Sequence, residues 1–208
     1  ESGSLIELVA PVYGLNDAPI LWHRTLTEWL VSQGCRKSLV EPCLHVKHES
    51  GSLTGLALVE VDDLILSFHP SERDRFVSEA QERFKFGKWK IGETEFAGRR
   101  ERQMPDNRIL VDQEKYILEN ITPMRLDPKN RSDKTRKLDK GEIHSYRSMC
   151  AQIQWVARES RPEVAGSASM LNSALPEPTV EHALVGIKVC KFLRGTASQV
   201  ITVWPMDI

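Results

Sequence analysis

Two adjacent carboxylates, Asp62 and Asp63, sit inside the stretch Leu56-Ala-Leu-Val-Glu-Val-Asp-Asp-Leu-Ile-Leu-Ser-Phe68. The apolar runs on either side have strand length and strand composition, and no Gly or Pro interrupts them, so the stretch predicts a β-hairpin with both acids at its bend. Because the runs are apolar at nearly every position, they predict strands covered on both faces. Two unpaired anions close to a core cost several kcal/mol or more, so such a pair calls for a cation, and hard carboxylate oxygens suit Mg²⁺, with Mn²⁺ as a substitute. The chemistry implied is that of a metal-holding hairpin tip. The plainer alternative is a solvated turn, since Asp is a common turn residue.

Positioning such a tip requires a sheet and helices to back it. Upstream, Tyr13-Gly14-Leu15-Asn16 reads as a turn, and a helix follows with Asp17 as its cap and an apolar stripe of Trp22, Leu26, Trp29 and Leu30, stopping at Gly34. A strand around Cys43 to Lys47 leads through Glu49-Ser-Gly-Ser52 into the hairpin. Downstream, Ser71 and Asp74 suggest a capping box for a second helix with Phe76, Ala80 and Phe84 on its apolar face. Short strands are predicted around Lys88 to Ile91, Glu95 to Ala97 and Ile109 to Val111, then a brief helix over Gln113 to Asn120. This order describes an α+β domain over 1–121, an antiparallel sheet with helices on one face. Residues 122–141, with two prolines and no apolar period, read as a linker or exposed loop. Residues 142–198 hold three helices, Ile143 to Glu159, Pro162 to Ala174 and Val180 to Arg194, and 199–208 begin another strand that leads on to a further domain.

Composition narrows the function classes. With 28 basic and 29 acidic residues the net charge is −1, so any polyanion site has to be local. The 4 cysteines, irregularly spaced, do not form a disulfide framework and predict a reducing, intracellular compartment, whether a cytoplasmic particle or the nucleus. No apolar stretch is long enough to cross a bilayer and no signal peptide pattern opens the chain, so no membrane association is expected.

Several motifs in collinear order then resemble one family. Tyr13-Gly14-Leu15-x-x-Ala18-Pro19-x-x-Trp22, Pro42-Cys43-Leu44 and Val61-Asp62-Asp63-Leu64 are similar to the reverse transcriptase of copia-type LTR retrotransposons. Gln113-x-Lys115-Tyr116-Ile117, Tyr146-Arg147-Ser148, Arg161-Pro162-Glu163-Val164-Ala165 and the segment from His182 through Lys188 to Leu193-x-Gly195-Thr196 resemble its downstream part.

The resemblance implies the palm and thumb of a right-hand RNA-directed DNA polymerase, with 142–198 thumb-like. Asp62 and Asp63 would be its catalytic and Mg²⁺-binding residues, one ion activating a primer 3′-hydroxyl and the other clamping the triphosphate. Tyr13 and Gly14 would lie beside the incoming nucleotide, and Phe96-Ala97-Gly98, with Arg99, Arg100 and Arg102, would contact primer and template. Implied partners are an RNA template, a DNA primer, deoxynucleoside triphosphates and the rest of a polyprotein, with integrase upstream and ribonuclease H downstream.

Three departures bear on this. Glu60 stands where the family has Tyr, adding a third acid, and Asn16 and Asp17 replace Lys and Gln. The family's remaining catalytic Asp lies upstream of the Tyr-Gly-Leu motif, in the fingers, outside this sequence, so the sequence predicts no polymerisation by this chain alone. A second reading stays open, that of a catalytically dead or repurposed remnant serving as a nucleic-acid-binding or structural module.

Other constellations are weaker. Cys35, Cys43, His45 and His48 lack a Cys-x-x-Cys element, so buried cysteines and surface histidines are a better account than zinc. The basic run through Lys129, Arg131, Lys134, Arg136 and Lys137 is either a phosphate-tracking surface or a solvated loop. Trp22 and Trp29 are expected in the core.

Overall fold

The computed structural model describes residues 14–205 except 62, 85, 88 and 97. The chain divides into two compact units, one running to Trp89 and the other beginning at Lys90. The division therefore falls ahead of 122–141, where the sequence suggests it, and separates the two sheets.

In the first unit, α1 (Ala18–Ser32) buries Leu26, Trp29 and Leu30, as the stripe predicts, although the Asp17 side chain makes no capping bond. Four antiparallel strands follow in sheet order: β1 (Arg36–Lys37), β2 (Leu44–Glu49), β3 (Ser52–Glu60) and β4 (Asp63–Phe68). The β2–β3 turn, Ser50-Gly51, has both φ angles positive, 50° and 86°, as a tight hairpin turn of this hand requires. The next helix, α2 (Pro70–Arg83), is capped by His69, whose Nδ1 accepts the Ser71 N–H, so Ser71 lies inside the helix rather than at its cap.

The core of this unit gathers Leu26, Trp29 and Leu30 from α1, Phe76 and Ala80 from α2, and Ala57 and Val59 from β3. Register explains which strand residues reach it. Ala57 pairs with Leu66 and Val59 with Leu64 on the core face, whereas Leu58 pairs with Ile65 on the other. The expectation of strands covered on both faces is corrected here: Leu56, Leu58 and Ile65 are only half-buried. Gly55 is needed because the Phe68 ring occupies the space a Cβ would take, and that ring stacks on Phe76 with centroids 4.1 Å apart.

The second unit starts with another antiparallel sheet, β5 (Glu93–Phe96), β6 (Arg99–Gln103), β7 (Ile109–Asp112) and β8 (Ile201–Val203). No strand forms at 88–91 among the described residues. The C-terminal strand β8 pairs with β7 and so completes this sheet. Four helices accompany the sheet: α3 (Glu114–Asn120), α4 (Lys140–Glu159), α5 (Ala165–Ser173) and α6 (Val180–Gly195). Asp139 and Glu142 form a reciprocal capping box at the start of α4. At α6 the Thr179 N–H donates to His182 Nδ1 at 3.1 Å, which gives His182 a structural role.

Residues 122–141 are not a free linker. Met124, Leu126 and Leu138 are buried in the core of this unit beside Tyr146, Ile153 and Leu193. Backbone bonds tie the segment to the start of α6, with Leu138 N–H donating to the Pro178 carbonyl at 2.9 Å and Val180 N–H to the Arg136 carbonyl at 3.0 Å. Polar composition hides this strap, because three well-spaced apolar residues carry no period.

Candidate active site

The hairpin tip is built by the shortest possible connection. Glu60 ends β3, Asp63 begins β4, and the two are directly paired, with only two residues of sequence between them. Asp62 lies outside the described residues. Val61 has φ of +52°, a left-handed conformation that a β-branched residue adopts at a cost of about 1–3 kcal/mol. The strain is held from α1: the Trp22 indole N–H donates to the Val61 carbonyl at 2.8 Å. Trp22 is in turn wedged edge-on against Phe84 and Phe86, at centroid distances of 5.4 and 6.1 Å. The expectation that Trp22 is simply core thus changes, since its ring is half-buried and its N–H reaches the tip.

Glu60 and Asp63 are exposed, so the burial cost that the sequence leads one to expect at the tip does not arise for these two acids. Direct pairing puts the Glu60 and Asp63 side chains on one face of the ribbon, and like charges placed opposite each other across strands repel. Both residues are exposed, and neither has an ion-pair partner among the described residues. Their oxygens are of the hard type that Mg²⁺ or Mn²⁺ takes. No group of three His, Cys, Asp or Glu side chains placed to hold a metal occurs among the described residues, a set that leaves Asp62 out. Of the expected nucleotide-binding pair, Tyr13 lies outside the described residues and Gly14 is exposed with φ of +98°.

The second candidate region, around the β5–β6 turn, belongs to the other unit. Phe96 is buried, which makes its ring a packing element, and Ala97 lies outside the described residues. Gly98 has φ of +73°, and a Cβ there would lie 3.4 Å from Trp155 of α4. The Gly98 carbonyl accepts from Gln113 Nε2 at 3.2 Å, and Gln113 Oε1 accepts from Ser160 Oγ at 2.8 Å, so one buried amide pins the turn to the end of α4.

The arginines expected to follow a phosphate backbone are engaged instead with carboxylates. Arg99 pairs with Glu159 at 2.9 Å, Arg100 with Asp112 at 3.1 Å and Glu114 at 3.2 Å, and Arg102 with Asp112 at 3.2 Å. Asp112 raises the Arg100 pKa further. Arg99, Arg100, Asp112 and Glu114 line part of a cleft of about 250 Å³, together with Gly98 and Tyr116. A phosphate would have to displace those carboxylates. In the basic loop Arg136 forks onto Glu142, Lys137 meets Glu177 at the surface, and Arg131 donates to the Leu126 carbonyl.

Sequence reasoning missed the burial of four polar side chains, Arg161, Lys47, Glu72 and His45. Arg161 is 1% exposed and spends its guanidinium on Glu163, on the Thr196 carbonyl and hydroxyl and on Gln199. That network joins two of the motifs quoted above, Arg-Pro-Glu and Gly-Thr. Lys47 and Glu72 form a buried ion pair between β2 and α2. His45, expected at the surface, is 0% exposed, and neither ring nitrogen has a partner among the described residues. Period-2 alternation within β2 could have placed His45 and Lys47 on the core face.

Burial lowers the His45 pKa, opposed by a backbone contact at Cys43 and reinforced by Lys37 and His23. A depressed histidine leaves the folded state neutral where the unfolded chain takes up a proton. Stability from this group is therefore complete above pH 6.5 and is lost as pH falls below it. We expect urea midpoints measured from pH 8 downward to begin falling near that value, and His45→Leu to flatten the decline; an unchanged slope in the variant would assign it to other groups.

No helix among the described residues is long and apolar enough to cross a membrane. No protein-family model matches the sequence, and no solved structure matches it. Curated relatives do. The chain is 25% identical over 202 residues to the retrovirus-related Pol polyprotein from transposon RE1 of Arabidopsis thaliana, covering 89% of this chain and 13% of that protein. It is 25% identical over 204 residues to the putative transposon Ty5-1 protein YCL074W of Saccharomyces cerevisiae, covering 92% of this chain and 65% of that one. Against the retrovirus-related Pol polyprotein from transposon TNT 1-94 of Nicotiana tabacum the figures are 22% identity, 89% and 15%. The chain thus spans less than two thirds of these relatives, and likeness of this extent supports a retrotransposon Pol polyprotein origin.

Proposed function

We propose that the chain is the palm and thumb part of an RNA-directed DNA polymerase from a copia-type element, with Asp62 and Asp63 as its metal-holding acids. The observation that carries this reading is the two-residue tip, where Asp63 faces Glu60 across a ribbon backed by α1 and α2. Asp62, Asp63 and, by its placement, Glu60 would hold Mg²⁺ or Mn²⁺, which when bound supplies charge neutralisation for nucleotidyl transfer to a primer 3′-hydroxyl. The chain's own contribution is to fix those carboxylates on a rigid ribbon, because small misplacements are costly in catalysis. RNA template, DNA primer and deoxynucleoside triphosphates are the partners in this reading. The relatives named above support it, as does the collinear order of the motifs.

The pairing of Arg99, Arg100 and Arg102 with carboxylates favours a second reading, a remnant that performs no catalysis. A Mn²⁺ titration of isotope-labelled protein separates the two. We expect saturable paramagnetic broadening centred on Glu60 to Leu64, displaced by Mg²⁺ and abolished by Asp62→Asn with Asp63→Asn. Broadening that is absent from the tip, or indifferent to those substitutions, would sink the polymerase reading. Primer extension on poly(rA) by this chain alone is expected to give no product; incorporation lost on Asp62→Asn would overturn that expectation while supporting the enzyme.

A further inference from the structure

The two-residue turns of the first sheet, β2–β3 and β3–β4, differ in how they meet the same demand. Ser50-Gly51 answers it with a glycine, at φ of 86°. The tip has Val61 at φ of +52° and no glycine, so its backbone needs a restraint from outside the ribbon. Among the described residues one side chain supplies it. Trp22 donates its indole N–H to the Val61 carbonyl at 2.8 Å across 39 residues of sequence. The ring is not free to leave, since Phe84 and Phe86 hold it edge-on.

We infer that Trp22 is a positioning residue, whose indole hydrogen bond fixes the strained Val61 turn and thereby the aim of the carboxylates beside it. The inference rests on the metal-holding reading of Asp62 and Asp63 for its purpose, but the restraint itself concerns only this chain's residues. An indole donor suits the task because it is rigid and carries a single N–H that donates and cannot accept. A carbonyl in this turn accepts a bond there without placing a positive charge beside the acids. The proposal also gives the Tyr-Gly-Leu-x-x-Ala-Pro-x-x-Trp stretch a physical reason to end in Trp.

The test uses the full chain with Trp22→Phe, which keeps the aromatic edges and removes the donor. Hydrogen exchange at Val61 to Leu64 is expected to quicken about fivefold, the loss of one neutral hydrogen bond. Exchange in the Ser50-Gly51 turn should not change. In a Val61→Gly background, where positive φ is free of strain, the same substitution is expected to have less effect. Should Trp22→Phe fail to fold, the wild-type indole proton decides: slow exchange supports the restraint, and exchange at the rate of a free indole overturns it. Mn²⁺ affinity at the tip is expected to fall about fivefold in Trp22→Phe. If wild-type Mn²⁺ binding depends on Asp62 and Asp63 yet is unchanged in Trp22→Phe, the positioning role is wrong and the metal reading stands. If the wild type binds no Mn²⁺, the metal reading fails alone, and unchanged exchange at Val61 to Leu64 would remove the restraint as well.

Discussion

Replacing Arg161 by Met is expected to destabilise the second unit by about 3–5 kcal/mol, the combined loss of several charge-assisted hydrogen bonds made by one buried guanidinium. The guanidinium donates to Glu163 Oε1 at 2.6 Å, to the Thr196 carbonyl at 3.1 Å, to Thr196 Oγ1 at 2.6 Å and to Gln199 Oε1 at 2.9 Å, and it lies 5.6 Å from the Phe192 ring centroid. Methionine fills much of the volume but donates to none of these acceptors, so the Thr196 carbonyl loses its bond while the exposed Glu163 and Gln199 turn to water. The Thr196 carbonyl follows directly on α6, so the damage should spread to the helix end and to the approach to β8. Arg161→Lys should recover little, because an ammonium cannot present the same planar fork. Urea unfolding with amide exchange at Leu193 as the local probe would measure the loss; a value under about 1 kcal/mol would show that the network is dispensable.

Glu72→Leu is expected to cost a similar amount in the first unit, for the opposite reason: it strands a cation. The Lys47 side chain is 7% exposed and that of Glu72 is 10%, and Lys47 also lies 3.4 Å from Glu49. Without Glu72 the Lys47 ammonium keeps only the more exposed Glu49, and the expected loss is about 3–5 kcal/mol. Adding Lys47→Met should return most of it, because a well-packed apolar pair often equals a buried ion pair. A double-mutant cycle in urea tests this; additive losses would mean that the two side chains do not act as a unit. The pair also marks a pH window. Its hydrogen bond lowers the Glu72 pKa, so this stabilisation is present above the ordinary value of 4.5 and is lost as pH falls below it. Lys47 is raised from 10.5 by the same bond, so its share persists to that pH and is lost as pH climbs further.

How much of this the sequence discloses follows from what each interaction depends on. Helices α1, α4 and α6 are legible because apolar residues recur at 3.6. The β3–β4 hairpin is legible from two apolar runs around one polar break. The unit boundary at Trp89 is not, because Phe84 and Phe86 near it are as apolar as any strand, while the strap over 122–141 looks like solvent-facing chain until Leu138 finds the core. Among site residues, Asp63 reads from its neighbours, but the partners of Arg99, Arg100 and Arg102 do not. Glu159 is 60 residues from Arg99, and no local pattern announces a pairing at that separation. The Trp22 bond to Val61 is hidden for the same reason.

The brevity of the Glu60–Asp63 junction also limits what mutation can do to it. Side chains on a ribbon alternate strictly, so gaining or losing a single codon within β3 would swing every later residue to the reverse side and send Leu64 and Leu66 out of the interior. Acids at the loop can therefore be traded for other residues one at a time with the register kept, whereas an odd change of strand length needs a bulge such as the one at Lys47 and His48 to absorb it.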